Sequence, residues 1–204
     1  MIPTSPDDAM IHTLLVATHN PDKSRELQSL LEGLRVDVTD LRAYPQCPDV
    51  EEDGTTLEAN AIKKAESAHA HTGLPVIADD TGLFVDYLDG SPGVYSARYA
   101  GENATYRDNV RKLLRKLTQV PKRRRSARFI CVIAFVVNGK HSIFTGTVEG
   151  EITFETRGSN GFGYDPIFLP AGLHKTFAEL DPGEKNLISH RGRALAQFVE
   201  FIQR

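Results

Sequence analysis

Pro75-Val76-Ile77-Ala78-Asp79-Asp80-Thr81-Gly82-Leu83 decides how the rest of the chain reads. Its small and apolar residues predict a strand buried on both faces, with two adjacent carboxylates where that strand leaves the core. Neighbouring like charges cost electrostatic energy unless a cation or strong donors neutralise them. The carboxyl end of a strand is also where open α/β sheets place their ligands. A magnesium site, holding the ion through one or two carboxylates and substrate phosphates, is one reading. An ordinary acidic turn before Gly82 is the other.

Working outward, Leu14-Leu15-Val16-Ala17 predicts another buried strand, and Thr18-His19-Asn20 the turn after it. Asn20 is suited to cap a helix and Pro21 to occupy its first position. Leu27, Leu30, Leu31 and Leu34 follow at helical spacing. A proline-containing loop, Tyr44 to Pro48, leads to Glu51-Glu52-Asp53. Thr55 with Glu58 predicts a capping box for a helix that Gly73 ends. A Gly-, Ser- and Tyr-rich loop runs from Asp89 to Gly101, and a third helix is expected over about 104–117. Ala127 to Val137 predicts a central strand, with Asn138-Gly139 turning it back through Ile143 to Val148. A glycine- and aromatic-rich loop at 158–168 precedes a last helix with Leu195, Phe198, Val199 and Ile202 inward. Strand–helix alternation with one hairpin predicts an α/β domain with a mixed sheet.

The 204 residues suffice for one large or two-lobed domain, expected over 11–204 behind a flexible tail at 1–10. A net charge of −3 does not suit the whole surface to polyanions. Cys47 and Cys131 form no metal spacing or disulfide framework, and Cys131 reads as a small buried hydrophobe. No apolar run reaches the roughly 18 residues of a membrane span, and Met1 to Asp8 is polar, so the cytoplasm is the expected compartment.

Chemistry concentrates in a few segments. Lys23 falls in a first helical turn, where the helix dipole disfavours a cation unless a bound phosphate reverses the local sign; a solvated lysine is the alternative. Gly161-Phe162-Gly163-Tyr164-Asp165-Pro166-Ile167-Phe168 offers aromatic rings that could stack on a base or close over the core, and Phe168 fits the core. Lys185 and Ser189-His190-Arg191-Gly192 lead into the last helix, as a surface pair or as contacts to a ligand rich in acceptors. Arg111 to Arg128 holds nine Lys or Arg residues in eighteen positions. That run reads as a solvated basic face, with nucleic-acid binding the lesser reading.

In this order, the Thr18-x-Asn20-x-x-Lys23 turn, Glu51-Glu52-x-Gly54, Glu58-x-Asn60-Ala61-x-x-Lys64-Ala65, Asp79-Asp80-Thr81-Gly82-Leu83, Gly93 to Tyr99, Gly161 to Pro166 and Ser189 to Gly192 resemble the inosine triphosphate pyrophosphatase family. The resemblance runs from about Leu14 to Phe201. It implies an elongated mixed sheet flanked by helices, with two lobes around a nucleotide cleft, usually in a homodimer. It implies hydrolysis of ITP, dITP and XTP to monophosphate and pyrophosphate; a related enzyme acting on pyrimidine triphosphates is the nearest alternative. By the same resemblance Asp80 is the catalytic residue, and Glu51 and Asp80 hold Mg2+. Thr18, His19, Asn20, Pro21, Asp22 and Lys23 meet the phosphates, and Thr81 contacts substrate. Phe162, Gly163, Tyr164, Asp165, Lys185, His190 and Arg191 bind the nucleotide, His190 and Arg191 selecting a 6-keto purine. His19 replaces a common glycine and Thr81 a common serine. The roles of Asp79 and Asp80 are not separable at this level.

Overall fold

A computed structural model describes residues 11–34 and 36–204; the expected tail at 1–10 lies outside them. Among the described residues, seven strands form one mixed sheet. Strand β1 (Thr13–Val16) lies between β2 (Asp37–Asp40) and β3 (Val76–Val85), parallel to both. From β3 the sheet continues antiparallel through β5 (Ser126–Val137), β6 (Lys140–Ile152) and β7 (Phe168–Pro170), and the two-residue β4 (Pro92–Gly93) also pairs with β3. The mixed α/β architecture is the expected one. At the β5–β6 turn Asn138 and Gly139 both have positive φ, as a tight two-residue hairpin requires.

Five α-helices among the described residues cover the sheet. Helix α1 (Pro21–Leu31) and the last helix, α5 (His190–Ile202), share a core with Ile77, Ile133 and Phe135 on one face. Helix α2 (Leu57–Thr72) packs its alanines on Val76, Ala78 and Ala134 on the other. A separate cluster forms the second lobe. There α3 (Tyr106–Lys116) meets the far ends of β3, β5 and β6 together with Tyr164, Ile167 and Phe168. Phe168 is core, as read. The short α4 (Pro182–Ile188) precedes α5 and has no counterpart in the expected elements.

Three boundaries differ from expectation. Thr56, not Thr55, caps α2 by accepting from the Ala59 N–H, although Gly73 ends that helix in the left-handed conformation as anticipated. Strand β6 is thirteen residues long rather than stopping near Val148, because its far end pairs with β7. Most consequentially, Asp79 and Asp80 are not at the end of their strand but in its middle. Asp80 still faces a cleft, since β1 stops pairing at Ile77 and β4 pairs with β3 only from Leu83. One edge of β3 is thus left without a neighbouring strand from Ala78 to Gly82.

Candidate active site

Alternation along β3 sends its two acids to opposite faces. Asp79 turns toward α1 and α5. Its Oδ2 takes the Lys23 ammonium at 3.1 Å, the Arg191 Nη2 and Nε at 3.0 and 3.3 Å, and the Thr81 hydroxyl at 3.1 Å. Burial pushes this carboxyl up, but the Lys23 and Arg191 cations outweigh it and hold the group well below the usual carboxylate range. Its Oδ1 is buried without a partner among the described residues. Asp80 turns toward α2, accepting from the Asn60 amide at 3.0 Å and from the Thr81 N–H at 2.8 Å. Burial raises its pKa, and the nearby Lys64 and Lys23 do not offset that. A base is more useful with a pKa nearer neutrality, so the two neighbours suit different work.

The cleft is a cavity of about 360 Å³, within the usual size of small-molecule sites. Asp80 lies on its wall and Asp79 is sealed behind it. Thr18, His19, Asn20, Lys23, Thr81, Phe162, Gly163, Tyr164, Asp165, Lys185, His190 and Arg191 line it as well. Of the site residues expected from the sequence, only Pro21, Asp22 and Glu51 are absent from the wall. Pro21 is the first residue of α1 and has no N–H to give. The Asp22 carboxylate turns to Arg25 and the Tyr106 hydroxyl.

Glu51 is exposed, and Glu52 takes the place in the cleft anticipated for it. Exposure alternates along this segment, with Glu51 and Asp53 exposed and Glu52 half-buried between them. Outside, Lys63 bonds the Glu51 carbonyl and the Asp53 carboxylate. Inside, Lys64 bridges the Glu52 carboxylate at 2.8 Å and the Asp79 carbonyl at 2.6 Å.

At the turn into α1, Asn20 Oδ1 accepts from the Asp22 and Lys23 N–H groups, and the Thr18 hydroxyl oxygen accepts from the Asn20 N–H. The free first-turn donors are therefore partly capped already. What remains for an anion is the Thr18 O–H and the Lys23 ammonium. Burial would lower the Lys23 pKa, but Asp79 keeps it raised and the group charged. His19 pairs with Asp49 at the surface, Nε2 to Oδ1 2.9 Å.

The opposite end is held by Glu26 on α1, which joins Lys185 and Arg191 through its two oxygens. Lys185 also meets Asp165 at 2.6 Å, and its Nζ sits 5.0 Å from the Phe162 ring centre. Burial raises the Asp165 carboxyl even beside that cation. Gly161 makes the turn possible: its φ is +69°, and a Cβ there would lie 2.1 Å from Asp165 Oδ2. Tyr164 is buried with its hydroxyl on the Ser96 carbonyl, so it braces the loop. His190 stacks on Phe129, centroids 4.5 Å apart, and burial keeps it neutral. Its Nδ1 has no partner among the described residues. Arg191 spends four of its five N–H donors on Asp79, Thr81 and Glu26, leaving one. Gly146 lets this end of α5 press onto β6, since a Cβ there would meet the His190 carbonyl oxygen at 2.0 Å.

Asn60, Lys64, Glu52 and Glu26 thus belong to the site without having been assigned a role from sequence. Glu52, Asn60 and Lys64 lie within the motifs that carry the family resemblance. Glu26 shares a helix face with Lys23 three residues earlier, and that spacing was the available signal.

Most of the basic run is absorbed locally. Lys112 and Lys116 lie over the Tyr99 ring, Lys122 pairs with Glu151, Arg124 stacks on Tyr87 and Arg128 pairs with Asp86. Arg125 is buried and donates to the carbonyls of Leu117, Ile152 and Thr153. A solvated and self-satisfied face is what these contacts describe.

Both cysteines are free and buried. No helix among the described residues is long and apolar enough to cross a membrane. Nor do three His, Cys, Asp or Glu side chains converge among those residues. Asp80 with Glu52 beside it still fits Mg2+, which commonly takes one or two carboxylates and completes its shell with water and substrate phosphates.

The sequence profile of the Ham1 family matches residues 14–201. The dITP/XTP pyrophosphatase of Geobacter sulfurreducens is 52% identical over 190 residues, covering 93% of this chain and 96% of that protein. The dITP/XTP pyrophosphatase of Caldanaerobacter subterraneus is 49% identical over 191 residues, covering 93% and 95%. Among solved structures, a HAM1 protein from Coxiella burnetii superposes with a TM-score of 0.86 at 45% identity, covering 94% of this chain and 98% of that one. The Ham1 protein of Staphylococcus aureus gives 0.83 at 41% identity, again over 94% and 98%. With matches of this extent over the cleft and both lobes, the chain belongs to the Ham1 family.

Proposed function

We propose that this chain hydrolyses non-standard purine nucleoside triphosphates, of the dITP and XTP kind, to monophosphate and pyrophosphate. The observation that carries the reading is the division between two adjacent acids. One is sealed and neutralised by Lys23 and Arg191, while the other lines the cavity with a raised pKa. Relatives covering nearly the whole chain bear the name dITP/XTP pyrophosphatase.

In this mechanism Asp80 orients a water against the α-phosphorus and takes its proton as the new P–O bond forms. The bond from the α-phosphorus to the bridging oxygen breaks, and pyrophosphate leaves with the electron pair. Lys23 and the Thr18 hydroxyl offset charge on the departing group. Asp80 and Glu52 would hold Mg2+, which would supply further neutralisation of the polyphosphate. Phe162 stacks on the base, and Lys185 and Asp165 keep its loop in place. The unpartnered His190 Nδ1 and the one remaining Arg191 donor meet the purine edge. A 6-keto oxygen accepts from such a donor, whereas a 6-amino group leaves it unpaired, at a cost that permits strong discrimination.

The test is pyrophosphate release from dITP, XTP, ATP, GTP and dTTP with and without Mg2+. Release from dITP and XTP that needs the cation is expected. Equal turnover of ATP, or a preference for dTTP, overturns the substrate class.

Lys23→Ala is expected to weaken inorganic triphosphate binding at least tenfold while leaving inosine binding nearly unchanged. Calorimetry with both ligands decides it, and equal weakening removes Lys23 from the phosphate site. The protein is further proposed to work as a homodimer, with light scattering giving about twice the 22.6 kDa chain mass. A monomer mass at micromolar concentration refutes that.

A further inference from the structure

Tyr106 belongs to none of the motifs that carry the family resemblance, yet it lines the cavity and reaches from one lobe to the other. It is the first residue of α3, held by Thr105 in a reciprocal cap with Asp108. The body of α3 is anchored in the second lobe through Val110 and Leu113. From there the Tyr106 hydroxyl crosses to α1, whose core contacts lie in the first lobe. It accepts from Asn20 Nδ2 at 3.0 Å and donates to Asp22 Oδ2 at 3.1 Å. Its ring meets Phe162, centroids 5.7 Å apart and planes tilted by 38°.

We propose that Tyr106 is a positioning residue for the triphosphate: its hydroxyl sets the phosphate turn and its ring extends the wall that Phe162 presents to the base. This rests on the reading above, in which the start of α1 takes the phosphates. Asn20 caps α1 only while its Oδ1 faces the helix, and a hydrogen bond from its Nδ2 to Tyr106 fixes that orientation. The Asp22 carboxylate, one residue from Lys23, carries the same charge sign as an incoming phosphate. Tyr106 and Arg25 occupy it and keep it turned away. Burial and the Asp22 carboxylate raise the phenol pKa, so the hydroxyl keeps its proton. The side chain remains 39% exposed, so its replacement does not open a core cavity.

Tyr106→Phe keeps the ring and removes the hydroxyl, and Tyr106→Ala removes both. Binding of pyrophosphate and of inosine to the full chain is measured by calorimetry with Mg2+ present, alongside steady-state kinetics on dITP. Tyr106→Phe is expected to weaken pyrophosphate binding about five- to tenfold, the scale of one ordinary hydrogen bond lost. Inosine binding should stay within about twofold, and KM should rise while kcat hardly moves. Tyr106→Ala is expected to weaken both ligands. Unchanged pyrophosphate binding in Tyr106→Phe, in a preparation whose wild type hydrolyses dITP, overturns the role. A wild type that neither hydrolyses dITP nor binds pyrophosphate overturns the site reading and this role with it.

Discussion

Asp80→Asn is expected to lose on the order of 10²–10⁴ in turnover, the scale of a missing general base, while melting no lower than wild type. The second half is as informative as the first. Asparagine keeps the size of the side chain and can still accept from the Asn60 amide or the Thr81 N–H, so packing is preserved. Burial already penalises the ionised carboxyl here, and its neutral replacement relieves that cost. In the cation-free protein Asp80 should take up its proton at a pH above the ordinary carboxylate value of 3.8, and Mg2+ bound at Asp80 should lower that pH. Circular dichroism melts and pyrophosphate release on the same preparation test both halves. Near-wild-type turnover in the variant would remove Asp80 from the chemistry.

One residue earlier the expected result reverses. Asp79→Ala should destabilise the fold by about 3–5 kcal/mol, because it leaves the buried Lys23 and Arg191 cations without their shared anion. For a chain of this length that is a fall of about 6–20 °C in melting temperature. The wild-type contribution has a pH signature. Asp79 has a depressed pKa in the folded state, so its stabilisation is complete above the ordinary carboxylate range and fades as pH falls toward the folded value. Asp79→Ala should lack that part of the acid sensitivity. An unchanged melting temperature would show that the buried charges are balanced by something else.

These opposite expectations for neighbouring acids show where reading from sequence stops. The apolar run before Asp79 announced a buried strand, and the pair announced chemistry. Which acid did which work depended on two helices more than a hundred residues apart in the chain, α1 with Lys23 and α5 with Arg191. Position along the strand was also misjudged. Asp79 and Asp80 read as its end because two adjacent carboxylates follow the apolar run, where a strand would leave the core. Here Lys23, Arg191 and Asn60 satisfy them in place, and the strand runs on to Val85. Glu51 and Glu52 show the same limit at the smallest scale. They share one residue type and one motif, and only Lys63 outside and Lys64 inside distinguish them.

By itself the sequence determined what local stereochemistry controls. The Asn20 cap with Pro21 behind it, the left-handed Gly73 that ends α2, the Asn138-Gly139 hairpin and the inward leucines of α1 need only a residue and its near neighbours. The ordered motifs likewise marked most of the cavity wall. Only the tertiary structure decided that β1 stops short and opens an edge of β3, that Glu26 joins Lys185 and Arg191, and that Tyr106 spans the lobes. Those contacts join residues 61 to 165 positions apart. Their partners are selected by burial and charge neutralisation in three dimensions, which spacing along the chain does not encode.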